Sequence, residues 1–395
     1  MRPPVVIFDK SFLEALSLDE AIIFDALYCT NLTPLFFTEV LGDLEKSKKS
    51  KEEQERIVSH LAYKSPRCHV YANMNHQLLC LYDLMADPHA VNITSYIPQI
   101  RYPLLEGDTG IPKGLVLDIP PELQSCMQWS DGIFSERERD FAREYRESLK
   151  RQKRIEEDDR KAVSQLKLSG LKEVLDFAKN GLLGGKIKWY SILKVLFDDL
   201  SAPEEFRKLI INRWKKEGGA SLSVFSPYTF HTLLVDNFVN LAIASSQISD
   251  ERASNRIDLA YLYYLPFTEI FISGDKLHER TVPLFLDDEQ RYIKSGDMKE
   301  DLKKLCAYYS GHPEVHSKGI IGTVYHPPTE GNFLASQLYD QFCTGWRSEA
   351  LNPINLSKEQ EEMVISQLYK EEVIPGENIT ITRSLPKEWG KWKMF

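Results

Sequence analysis

The sequence predicts an α/β fold built on a mainly parallel sheet, and three observations point there. Val5-Val6-Ile7-Phe8 is an apolar run rich in β-branched side chains, the pattern of a short strand buried on both faces. A helical stretch, a second apolar run at Thr33-Pro34-Leu35-Phe36-Phe37 and another helical start follow it, as at the opening of a doubly wound unit. Much later, Pro266–Ser273 repeats the apolar run, and each of the three runs is followed closely by an acid: Asp9, Glu39 and Asp275.

The elements read in order as follows. The first strand leads into an amphipathic helix over roughly residues 11 to 28, then the second strand at 33 to 37, then a helix beginning near Val40. From about residue 47 to 225 the signals are mostly helical and strand–helix alternation stops. Residues 86 to 122, rich in Pro, Gly and Asn, predict a long connection. Ser135-Glu136-Arg137-Glu138 is a capping box opening a charged segment that runs to about Lys167. Helices follow at Tyr190 to Leu200 and from Ala202-Pro203-Glu204-Glu205 to Gly218-Gly219. Residues 229 to 245 and 251 to 264 read as helices with apolar faces, and they lead into the strand that ends at Ser273.

Bulk properties exclude several classes. A chain of 395 residues that is 43% apolar and 27% charged has the composition of a globular protein rather than a disordered one. No window approaches the roughly 20 apolar residues needed to cross a bilayer, and the first residues lack the pattern of a secretory signal, so a cytoplasmic protein with no membrane partner is expected. Six cysteines scattered without CxxC pairs predict reduced core thiols. The net charge of −9 argues against a protein that coats nucleic acid, because such binding needs clustered Lys and Arg. It leaves room for a nuclease, which needs only a local basic track. Short basic runs stand at residues 46–51, 150–154 and 213–216, each also readable as a solvated face.

An acid inside a buried strand is costly, but at the carboxyl end of a parallel strand it lines the crevice where α/β sheets bind ligands. Asp9 can also be read as the N-cap of the helix that follows it. Asp9, Glu39 and Asp275 all stand at predicted strand ends, and Asp258 lies near the start of the helix that feeds the last strand. On one sheet edge the four would converge. Two carboxylates about 4 Å apart repel by roughly 4 kcal/mol at an effective dielectric near 20, so such a cluster takes up protons or holds a cation. Oxygen-only ligands select hard ions, Mg²⁺ or Mn²⁺.

"VVIFDKSFL", "LFFTEVLGDLEK" and "RIDLAYLYYLPFTEIFISGDKLH" resemble, in order, the three acidic motifs of PIN-domain nucleases. The resemblance covers about residues 1 to 60 and 228 to 290. It implies a three-layer α/β/α domain, interrupted by a mainly helical insertion at 61–227 and followed by an extension at 291–395 that packs on the core. It also implies a metal-dependent endonuclease that cleaves RNA, less often DNA, with Asp9, Glu39, Asp258 and Asp275 holding Mg²⁺ or Mn²⁺ and Ser11 and Ser273 orienting the carboxylates. Two departures stand out: the size of the insertion, and Lys276-Leu277-His278 where the family often carries acidic or aromatic residues. A catalytically silent scaffold whose insertion binds a protein partner is the rival expectation, and another metal-dependent phosphoesterase is a third.

Weaker signals have ordinary readings beside the functional ones. Asp43 and Asp236 are reserve members of the acidic cluster and also plausible capping or surface acids. Cys68-His69 with His76 and Cys80 has no standard zinc spacing, and packing explains it as well. His312, His316 and His326 sit among Gly and Pro; contact with phosphate is the functional reading and plain surface histidines the ordinary one. Asn180–Lys186 lacks the glycine spacing and hydroxyl residue of a phosphate loop. The aromatic patches at Tyr261–Tyr264 and Trp389–Trp392 read more readily as core or docking surface than as base-stacking platforms.

Overall fold

In a computed structural model of the chain, the residues described are 2–46, 49–86, 104–106, 112–115, 121–150, 160–161, 163, 165–183, 189–252, 254–312, 315 and 324–351. The second patch of aromatics (Trp389–Trp392), His316, the end of the phosphate-loop-like stretch and most of residues 86–122 lie outside them.

Val5–Phe8, buried throughout, forms β1 as expected. The other strands of its sheet are β2 (Cys29–Leu32), β3 (Val70–Ala72), β4 (Ile270–Ser273) and β5 (Arg291–Lys294). All five run parallel in the order β3-β2-β1-β4-β5. The chain steps outward from β1 to β3 on one side, then crosses back to continue on the other. The topological switch point therefore lies between β1 and β4, where open parallel sheets leave a crevice outside the carboxyl ends of their strands. The sheet takes β3 from within residues 61–227 and β5 from beyond residue 290.

The helices that build the cores and the site, in chain order, are α1 (Lys10–Ala15), α2 (Leu18–Leu27), α3 (Pro34–Gly42), α4 (Lys51–Lys64), α5 (His76–Met85), α6 (Pro121–Ser130), α7 (Glu136–Lys150), α8 (Leu171–Leu183), α9 (Trp189–Asp199), α10 (Glu204–Lys216), α11 (Pro227–Ala244), α12 (Ser254–Ala260), α13 (Lys276–Thr281), α14 (Ser295–Ser310) and α15 (Leu334–Phe342); Leu222–Phe225 and Trp346–Leu351 are further short helices. Strand side chains alternate between faces. Val6, Phe8, Ile270 and Ile272 accordingly pack with Phe12, Phe24, Leu61, Met298 and Leu302 of α1, α2, α4 and α14. Ile7 and Phe271 face the other way, onto Leu79, Val174, Val235 and Leu259 of α5, α8, α11 and α12. Helices thus cover both faces. Residues of α9 and α10, including Leu193, Phe197 and Ile210, form a further core with Leu81 and Leu84 of α5.

Three local readings need correction. The second strand is not 33–37. Thr33 caps α3 by accepting from Phe36 N–H, and Pro34 occupies the first helical turn, where its missing N–H costs nothing. Phe36, Phe37, Val40 and Leu41 are buried at helical spacing, so the apolar run belongs to α3, while β2 is the more polar Cys-Thr-Asn-Leu just before it. The helix expected over 11–28 is two, because Leu16 turns extended and Ser17 opens α2 with a reciprocal capping box to Glu20. The helix expected over 251–264 changes after Ala260 to a 3₁₀ segment, Tyr261–Phe267. None of the six cysteines forms a disulfide, and five of them are buried.

The helix opened by the predicted capping box, α7, docks on α3. The Tyr145 ring lies over Gly42, where an added Cβ would come within 2.7 Å of two ring carbons. Arg146 Nε donates to the Gly42 carbonyl at 2.8 Å. Gly42→Ala is expected to push Tyr145 aside and loosen this contact at a cost of about 1–2 kcal/mol, since overpacking outweighs the helix propensity gained. Faster amide exchange across residues 136–150 would register it, and unchanged exchange would rule it out.

Candidate active site

The β1–β4 register builds the centre of the site. Phe8 pairs with Ile272, and Asp9 N–H donates to the Ile272 carbonyl at 3.2 Å, so the next residues, Asp9 and Ser273, stand side by side at the switch point. Both readings of Asp9 hold at once. Its Oδ1 accepts from Phe12 N–H at 3.0 Å, which caps α1, and from Ser11 Oγ at 2.8 Å. Its Oδ2 accepts from Ser273 Oγ at 2.5 Å and lies 3.5 Å from His278 Nδ1. Ser11 and Ser273 therefore fix the two oxygens of one carboxylate.

His278 is the residue that sequence reasoning passed over. Asp275 caps α13 through Leu277 N–H at 2.6 Å, and three residues on, the helix turns His278 back toward the strand end. The imidazole is buried, 1% exposed. Its Nε2 must donate to the Asp258 carbonyl at 2.7 Å, because a carbonyl only accepts. Ser273 Oγ accepts from Asp275 N–H at 3.0 Å and gives its single proton to Asp9, so the 2.8 Å contact with His278 Nδ1 requires Nδ1 to donate as well. With Asp9 ionised, both ring nitrogens carry protons, which makes His278 an imidazolium paired with Asp9. The titration directions agree. Burial pushes the Asp9 carboxyl up, but His278, Ser273 and Ser11 together bring it below its usual value; burial pushes His278 down, but Asp9 and the Asp258 carbonyl raise it net.

The other three acids surround this pair. Glu39 projects from α3, and its Oε2 accepts from Tyr261 OH at 2.6 Å. Burial first, then the charges of Asp258 and Asp9, raise its carboxyl to about 7 against the pull of Tyr261 and Lys10. Asp258, on α12, is raised to about 6 by burial and by the charges of Asp275 and Asp9, with His278 and Arg252 opposing. The four predicted acids are thus brought to one sheet edge and act on one another electrostatically. Among the described residues, however, no three His, Cys, Asp or Glu side chains come close enough together to hold a metal ion as they stand.

The reserve acids sit elsewhere. Asp43 is buried and paired with cations: Lys10 Nζ at 2.8 Å, Arg146 Nη2 at 2.9 Å and Lys46 Nζ at 3.4 Å. Asp236 accepts from Tyr263 OH on an exposed face. The cysteine–histidine grouping is dispersed, with Cys80 Sγ against Thr232 Oγ1 at 3.2 Å and His76 stacked on Tyr263. His312 Nδ1 meets the Tyr308 carbonyl and His326 Nδ1 the Pro327 carbonyl. Among the described residues no helix is long and apolar enough to cross a membrane. Compared with known proteins, the chain matches no family model, no curated protein and no solved structure.

Proposed function

We propose that the sheet and its helices form a PIN-like domain and that the crevice at β1 and β4 is the active site of a cytoplasmic, divalent-cation-dependent endonuclease acting on RNA in preference to DNA. One observation carries the reading: Asp9, Glu39, Asp258 and Asp275, from distant parts of the chain, stand at one strand edge, where burial first and one another's charge second raise Glu39 to about 7 and Asp258 to about 6. Crowded carboxylates at a switch point are costly to folding and useful for binding a cation beside a phosphodiester.

The donor set fits Mg²⁺ or Mn²⁺ in kind, being carboxylate oxygen throughout. Glu39, Asp258 and Asp275 would hold such an ion, with Asp9 joining through whichever oxygen its serines release. The chemistry it supplies when bound is Lewis-acid polarisation of the phosphoryl group and a lower pKa for water. The chain's own residues do the rest. Tyr261 fixes the rotamer of Glu39, whose value of about 7 suits a group that takes up or gives a proton at neutral pH. His278 offsets the charge of Asp9, which keeps the anionic substrate from meeting four uncompensated carboxylates.

A second reading, a catalytically silent scaffold whose insertion binds a protein, is favoured by the same His278 contact, because it helps to occupy the oxygens of Asp9. One comparison separates the two. Millimolar Mn²⁺ is expected to raise the melting temperature of the wild type and to support cleavage of single-stranded RNA, and Asp258→Asn is expected to lose both responses. A wild type that shows neither response leaves the scaffold.

A further inference from the structure

Asp43 is 1% exposed, yet three cations converge on it. Lys10 follows Asp9 directly and also touches Glu14 at 3.4 Å; Lys46 is 42% exposed; Arg146 arrives from the insertion. These three cations face Asp43 and Glu14, and Glu39 also acts on Lys10. Arg146 has five N–H donors. It spends one on the Gly42 carbonyl and one on Asp43, and the other three have no partner among the described residues, although the side chain is 31% exposed. A partly exposed guanidinium held at two points by protein, with donors to spare, is preorganised for a phosphate.

The location matters as much as the charge. Asp43 stands four residues after Glu39 at the end of α3, a helical rise of about 6 Å, on the order of one nucleotide step. Glu39 acts electrostatically on both Lys10 and Tyr145, and the Tyr145 ring lies over Gly42 beside Arg146. The cation cluster and the acidic crevice are therefore neighbours, joined by α3 and α7.

The geometry points to Arg146, with Lys10 and Lys46, as the anchor for a backbone phosphate of a single nucleic-acid strand next to the one cleaved, so that the insertion supplies part of the substrate site. This rests on the nuclease reading above. The phosphodiester is the recognised chemistry, and RNA and DNA both offer it.

The experiment measures binding of a labelled single-stranded RNA and its DNA counterpart by fluorescence anisotropy across a salt series, in EDTA, and cleavage in Mn²⁺. Full-length wild type, Arg146→Ala, Arg146→Lys, Lys46→Ala and Asp258→Asn are compared. Arg146→Ala is expected to bind about tenfold more weakly and to flatten the slope of log K against log salt by about 0.7 for the lost contact. It should raise KM with little change in kcat. Arg146→Lys should recover the slope but only part of the affinity, while Asp258→Asn binds at least as tightly as the wild type and does not cleave. An arginine that only fastens α7 to α3 would lower the melting temperature and leave the salt slope unchanged, which overturns the anchor while cleavage stands. Arg146-dependent binding without cleavage by the wild type overturns the nuclease reading and keeps the anchor. No binding to either strand overturns both.

Discussion

Asp9→Asn is expected to lower stability by about 3–5 kcal/mol, the cost of removing one partner from a buried ion pair. Every group around this carboxylate donates: Phe12 N–H and Ser11 Oγ on one oxygen, Ser273 Oγ and His278 Nδ1 on the other. An asparagine amide has one accepting end and one donating end. Whichever way it turns, two donors face an NH₂ group, and the imidazolium loses its counter-charge. Urea unfolding at pH 6 measures the loss. His278→Gln in the Asp9→Asn background should cost much less than it does alone, giving a coupling of at least about 1–3 kcal/mol. If Asp9→Asn costs under about 1 kcal/mol, His278 does not carry both protons and the pair is not ionic.

With divalent cation absent, stability is expected to fall as pH rises from 5 to 8. The folded-state value for Glu39, about 7, lies above its unfolded value of 4.5, so the folded protein keeps a proton that the unfolded chain releases. That contribution is fully present below about pH 4.5 and is lost as pH rises through 7. Asp258, about 6 against 3.8, behaves the same way at slightly lower pH, and the raised His278 adds a loss above its unfolded value of 6.5. Asp9 runs in the opposite sense. Its lowered value gives stability present above 3.8 and lost on acidification, outside this window. Glu39→Gln keeps an acceptor for Tyr261 and removes the titration. It is expected to stabilise the protein by about 2–3 kcal/mol at pH 8 and by little at pH 4.5, while abolishing the proposed cleavage. Thermal melts of both proteins at the two pH values test this; a difference that does not change with pH would place Glu39 in solvent.

The legible part of the site is the part written in contiguous apolar runs. Val5–Phe8 and Ile270–Ser273 are buried on both faces and show it, so Asp9 and Asp275 were readable as strand-end acids. β2 was not, because Cys29–Leu32 carries Thr30 and Asn31 inside the sheet, where the Asn31 amide donates to the distant Phe267 carbonyl. β5 is an edge strand, Arg-Tyr-Ile-Lys, with a cation at each end and only two apolar residues between, and β3 has three residues. Glu39 stands at no strand end, contrary to the sequence reading; its place comes from the pitch of α3. His278 was invisible for a different reason. Its role depends on a register between β1 and β4 that no local pattern encodes. The same holds for Arg146, whose partners lie more than a hundred residues upstream.

The strand order also governs when the site can exist. The hydrogen bond between Ser273 and Asp9 spans 264 residues, and every contact of that range must await the end of its loop. While the chain is being made, β1, β2 and β3 can emerge and pair, but Asp9 then has only Ser11 and its own helix for company. Its counter-ion, its second serine and two of the other three carboxylates arrive together with residues 258 to 278. A nascent chain that stops before them carries Asp9 at the end of β1 without its counter-ion, so no chain that ends before His278 holds the whole crevice.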